Sequence, residues 1–164
     1  MPAVTRFPLS VQWPHYLRAV VDISFPAYHI RVAPGCAHGP SGLPHPLGSA
    51  GTIHIVTAFN PGGHHSTAPS NLRAQHELLH VIDRCGLQWW PAVGGDGAGT
   101  HAEISVAISG MSDAQARAIG RTFGQDAVFA WTPTSWRLLA CTDTAHDVTV
   151  PGWHATTLAS ASHP

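Results

Sequence analysis

Between Thr52 and Phe59 the chain alternates. Ile53 and Ile55 point one way, and His54, Val56 and Ala58 the other. A period of two predicts a strand. Asn60-Pro61-Gly62-Gly63 stops it. Thr67 or Ser66 then caps a helix over Ser70–Cys85, with Pro69 in its first turn. Leu72, Leu78, Leu79, Ile82 and Cys85 make its apolar stripe, so Cys85 is expected to be a buried, inert thiol, and Gly86 ends the helix. Leu87–Pro91 reads as a short strand, followed by a glycine-rich loop over Gly94–Gly99. Ala102–Ser109 alternates again, with Ile104, Val106 and Ile108 on one face and Glu103 and Ser105 on the other. Ser112 and Gln115 have capping-box spacing at the start of a second helix, Ser112–Phe123. Ala127–Thr132 and Trp136–Cys141 form a hairpin across Pro133-Thr134-Ser135. Upstream, Trp13–Ile23 is spaced as a short helix and Ala27–Val32 as a strand. Pro34–Gly51 is loop.

From Thr52 the order is strand, helix, strand, strand, helix, strand, with one strand added. It predicts an α+β domain with a ferredoxin-like βαββαβ core at residues 52–141, an N-terminal helix and strand, and one added C-terminal strand. The domain spans residues 1–142, and residues 143–164 form a polar, flexible tail. In that topology three connections share one edge of the sheet: Asn60–Ser70, Gly94–His101 and Gly124–Asp126. They carry interior polar residues with no evident structural task, and loops at one end of a rigid sheet are where sites gather.

Composition narrows the partners. The chain has 164 residues, 44% of them hydrophobic and 10% charged, with a net charge of −1. That is a compact chain with no field to draw nucleic acid or an anionic membrane. No apolar run approaches the roughly 20 residues that span a bilayer. The N-terminus lacks the apolar core of a signal peptide. Cys36, Cys85 and Cys141 are far apart and odd in number, which fits a reduced cytoplasmic protein.

His76-Glu77-Leu78-Leu79-His80 spells HExxH on a helix, the pattern in which two histidines hold zinc and the glutamate activates water. Glu103 or His101 would supply the third ligand. Against it, His76 and His80 fall opposite the apolar stripe, on the polar face with Arg73, Asp83 and Arg84. A zinc site needs those imidazoles buried and held by hydrogen-bond partners of their own, so a solvated helix face is the simpler reading. The metzincin extension fails at Asp83, where a glycine belongs.

Several residues have a bland reading beside a functional one. Asn60 can terminate a strand, and Asn71 can bond backbone. Glu103 can act as a base or bind a cation or amine, or else pair with Arg121 or Arg137. Gln125-Asp126 can read a polar ligand or cap a helix. His64-His65 with Arg73 can bind an anion or be a surface turn. Trp89-Trp90 reads as core or a partner-facing patch.

TAFNP at Thr57–Pro61, Asn71 opening a helix, Glu103-Ile104-Ser105 and FGQDAVF at Phe123–Phe129 occur in order and at fitting distances. Together they resemble DUF3293, a bacterial domain family of unknown function. Tyr16 falls where that family has an early tyrosine. The resemblance extends over roughly Trp13–Thr142. It implies that Asn60, Asn71, Glu103, Ser105 and Gln125 matter, and it implies no activity or cofactor.

Three readings follow. The first is a small polar ligand at the loop edge formed by residues 60–73, 94–105 and 124–126. There Asn60, Asn71, Arg73, Glu103, Ser105, Gln125 and Asp126 bind, and Glu103 is the catalytic candidate if chemistry occurs. The second is a zinc hydrolase using His76, His80 and Glu103, with Glu77 as base. The third is a non-catalytic interaction domain, including a homo-oligomer formed through a sheet edge.

Overall fold

A computed structural model describes residues 9–35, 43–49 and 51–159. Among these residues three α-helices, α1 (Leu9–Arg18), α2 (Ala68–Arg84) and α3 (Asp113–Thr122), accompany nine strands. The strands are β1 (Val20–Ser24), β2 (His29–Pro34), β3 (Ile53–Thr57), β4 (Trp89–Gly95), β5 (Ala102–Ser109), β6 (Ala127–Trp131), β7 (Ser135–Ala140), β8 (Val148–Pro151) and β9 (Trp153–Leu158).

All nine form one antiparallel sheet in the order β8-β7-β6-β3-β5-β4-β1-β2-β9. Its two outer strands are consecutive in the chain, separated only by Gly152. The Gly35 amide donates to the Gly152 carbonyl, and the Gly152 amide donates to the Thr134 carbonyl. One C-terminal segment therefore pairs with β7 through its first half and with β2 through its second. The sheet curls into a nearly closed barrel.

This overturns the ferredoxin-like expectation. The reason lies in the inward face. Val21, Ile23, Ile30, Val32, Ile53, Ile55, Trp90, Ala92, Ala107, Trp131, Trp136 and Ala155 form one buried cluster. An open sheet covered by helices on one side would leave that face in water, and burying it is worth roughly 25 cal/mol per Å². Closure puts it inside. The opposite face, with Val56, Val106, Ile108, Val128, Ala130 and Leu139, packs with Leu78 and Ile82 of α2 and Ala116 of α3. The middle of β3 is accordingly buried on both sides.

Other expectations change with it. Residues 148–158, expected in a flexible tail, form β8 and β9. Val20–Ile23, expected at the end of a helix, lie instead in β1, paired with β2 and β4. Pro14 lies inside α1 rather than in its first turn. Cys85 is exposed at the C-cap of α2. Asn71 and Gln75 join Leu78 and Ile82 on that helix's buried side. No helix among the described residues is long and apolar enough to cross a membrane.

Candidate functional site

The three connections do meet at one end of the barrel. Thr57 pairs with Ser105, and Gly95 with Ala102, so the end of β3, the start of β5 and the end of β4 lie together. Glu103 and Ser105 share parity with Ala107, whose side chain is in the barrel interior. Side chains alternate along a strand, so both residues face inward at the mouth. Ser105 is buried and Glu103 half-buried. The Ser105 hydroxyl donates to the Glu103 carbonyl at 3.1 Å.

A net of side-chain amides builds the rim. The Asn60 Nδ2 donates to Glu103 Oε1 at 2.8 Å. The Asn60 Oδ1 accepts from Asn71 Nδ2 at 3.0 Å and from the Ser66 amide at 3.0 Å. The Asn60 amide donates to Asn71 Oδ1 at 2.9 Å. Among the described residues Asn60 is the one non-glycine residue at positive φ, at 48°. Left-handed backbone is uncommon outside glycine, and asparagine tolerates it best. Here three side-chain hydrogen bonds hold it. Gln75 Oε1 accepts from the Ala58 amide, and Gln125 Nε2 donates to the Phe59 carbonyl at 3.0 Å. Gly62 donates to the Gly124 carbonyl at 2.8 Å, tying the first connection to the third. Asn60, Asn71 and Gln125 thus spend most of their polar atoms fixing the rim. The carboxylate they present is Glu103.

His101 stands beside that carboxylate, with Nε2 at 3.7 Å from Oε1. Asp96 folds the glycine-rich loop by accepting from the Ala98 and His101 amides. Asp126 is half-buried, and its carbonyl accepts from the Cys141 amide. Arg73 is exposed on α2. His64 and His65 are exposed in the turn before α2, whose N-cap is Thr67.

Tyr16 was not among the sequence-derived binding residues, although the family resemblance placed a tyrosine there. It belongs to this end of the barrel. Burial, and after it the charges of Asp126 and Glu103, raise its hydroxyl above the usual tyrosine range, keeping it protonated. Trp13 Nε1 donates to the His146 carbonyl at 2.8 Å and its ring meets Tyr16 edge-on. These contacts lay α1 across the mouth.

The zinc constellation does not assemble around HExxH. His76 and His80 are exposed on α2, while Glu103 is held at the mouth by Asn60. Among the described residues no three of His, Cys, Asp or Glu are grouped to hold a metal ion. The expected partners of Glu103 are also engaged elsewhere. Arg137 binds Asp113, and Arg121 donates to the Cys141 carbonyl. Trp90 is core and Trp89 donates to Asp83.

No curated protein and no solved structure matches this chain. A family model does match, over a narrower span than the sequence motifs suggested, from Val56 in β3 to Val128 in β6. That span holds every rim residue except Tyr16. Residues 56–128 carry the pattern of DUF3293, a protein family of unknown function.

Proposed function

We propose that the mouth of the barrel, covered by α1, binds a small polar ligand through Glu103. The rim is the loop edge of residues 60–73, 94–105 and 124–126. One observation carries this reading. Asp22, Asp113 and Asp147 each hold an arginine through two hydrogen bonds. Glu103 turns inward at the mouth, and among the described residues no arginine lies within ion-pair distance of it. A half-buried carboxylate flanked by the Asn60 amide and the His101 imidazole rather than by an arginine favours a ligand that brings N–H donors or an ammonium group. Asn60 orients the carboxylate, Asn71 and Gln125 hold the turn, and Ser105, Asp126 and Tyr16 complete the surroundings, while Arg73 stands apart on the exposed face of α2. If chemistry accompanies binding, Glu103 is the base.

The test is thermal unfolding of untagged protein against a panel of polar metabolites, amines included. A ligand at 100 times its Kd should stabilise the fold by about 2.7 kcal/mol. Glu103→Gln should unfold at the unliganded protein's temperature and lose the ligand shift. A panel that shifts nothing, or a shift that survives Glu103→Gln, removes the reading.

We also place the protein in the reducing cytoplasm. Cys85 and Cys141 are free thiols, and burial pushes the Cys141 thiol up to about 11, out of reach of ready oxidation. Fractionation of the native host tests the location.

A further inference from the structure

HExxH is left over by the proposed function, and its two histidines have a geometry of their own. We propose that His76 and His80 form a two-imidazole chelate on the outer face of α2 for a divalent metal of tetragonal preference, Cu²⁺ or Ni²⁺. Both side chains are exposed, one helical turn apart, with ring centroids 4.7 Å apart. A metal–nitrogen bond of about 2.1 Å plus about 1.1 Å to the ring centre puts each centroid roughly 3.2 Å from a shared ion. The observed separation is within twice that distance, so both imidazoles can reach one ion. Two imidazoles with water in the remaining positions suit Cu²⁺ and Ni²⁺, which accept square or octahedral sets, better than Zn²⁺, which prefers a closed tetrahedral set of protein ligands.

The surroundings set the strength. Glu77 borders the same groove between α2 and α3 as His80 and adds negative charge, and Arg84 lines that groove as well. Arg73 precedes the pair on the same helix. With no third side chain among the described residues grouped with them, water fills the other positions. The site is a modest chelate and not a hydrolytic centre. It is independent of Glu103 and the barrel mouth.

The test is calorimetric titration of untagged full-length protein with Ni²⁺ and with Zn²⁺, neither of which oxidises the exposed Cys85 thiol. One Ni²⁺ per chain, bound about tenfold more tightly than Zn²⁺, is expected. His76→Ala/His80→Ala should lower Ni²⁺ affinity at least tenfold with an unchanged circular dichroism spectrum, since both side chains are exposed. Unchanged Ni²⁺ binding in that variant would assign the metal to other histidines and overturn the proposal. Zn²⁺ binding as tightly as Ni²⁺ would overturn the choice of metal.

Discussion

Gly120 is buried in α3, where a glycine weakens a helix by about 1 kcal/mol relative to alanine. The fold keeps it because the helix lies so close to the sheet. A Cβ at residue 120 would stand 2.5 Å from Cys141 Sγ and 2.9 Å from Val128 Cγ1. Cys141 and Val128 are 1% and 2% exposed, so neither can swing into solvent. Gly120→Ala should therefore gain about 1 kcal/mol in helix propensity and lose about 2–3 kcal/mol to overpacking. The net cost is about 1–2 kcal/mol. In urea, with a slope of about 2 kcal/mol per M, the midpoint should fall by about 0.5–1 M. A double-mutant cycle sharpens the test. Cys141→Ala removes the closer obstacle, and the new methyl then fills the vacated space. The double variant should be more stable than the sum of the singles by about 1 kcal/mol. The Arg121 bond to residue 141 is made by the backbone carbonyl and survives the change. A raised midpoint for Gly120→Ala, or strict additivity with Cys141→Ala, would refute this contact between α3 and the sheet.

Other perturbations probe the rim and the buried charges. Asn60→Gly should cost about 2 kcal/mol by removing the side-chain hydrogen bonds. Asn60→Ala should cost about 1 kcal/mol more, because alanine also resists the left-handed backbone; equal melting temperatures for the two variants would show that the backbone conformation is not under strain. Acid should weaken the fold in two stages of the same sign. Burial is the main cause holding the His54 imidazole below its ordinary value. The unfolded chain therefore takes up that proton first, and stability falls as pH drops below about 6.5. The Arg137 bond is the main cause lowering the Asp113 carboxyl to about 2. Its contribution is full above an unfolded value of about 4 and is lost as pH falls from there toward 2. His54→Gln, which can still donate to Asp113, should erase only the first stage of a urea-midpoint profile from pH 8 to 3. A wild-type profile flat between pH 6.5 and 4.5 would contradict the burial of a neutral His54.

Local patterns were legible where local chemistry decides. The alternation around Ile53–Ala58 separates the barrel face from the helix face as the structure does. Ser112 and Gln115 make both capping-box bonds, and Thr67 caps α2. The convergence at the barrel mouth was legible too, because the end of β3 and the start of β5 were correctly placed in sequence. What failed depends on distant partners. Val20 shares helical spacing with Trp13 and Tyr16, but Val20–Ile23 are held as a strand by residues 92–95, far along the chain. Thr149, His154, Thr156 and Thr157 make the C-terminal strands look like solvated tail, and they are exposed. Val150, Trp153 and Ala155 report their buried side, too few and too scattered to set a clear period. The wheel put Cys85 on the apolar stripe of α2, but the helix ends there and the cap faces water. Tyr16 was visible only as a family resemblance, since nothing nearby in sequence reveals that α1 crosses the barrel mouth.

The junction at Gly152 has a consequence for how the protein is made. Until residues 148–158 arrive, β2 and β7 each present an unpaired edge, and such edges recruit other chains. Their partner is made after both of them, so the barrel cannot seal until residues 148–158 have been synthesised. Sealing also requires contacts spanning more than a hundred residues, such as His29 with Leu158, which slows folding. The newly made chain therefore passes through a state with two sticky edges, and the length of that interval, more than the stability of the finished barrel, should set how much of it aggregates.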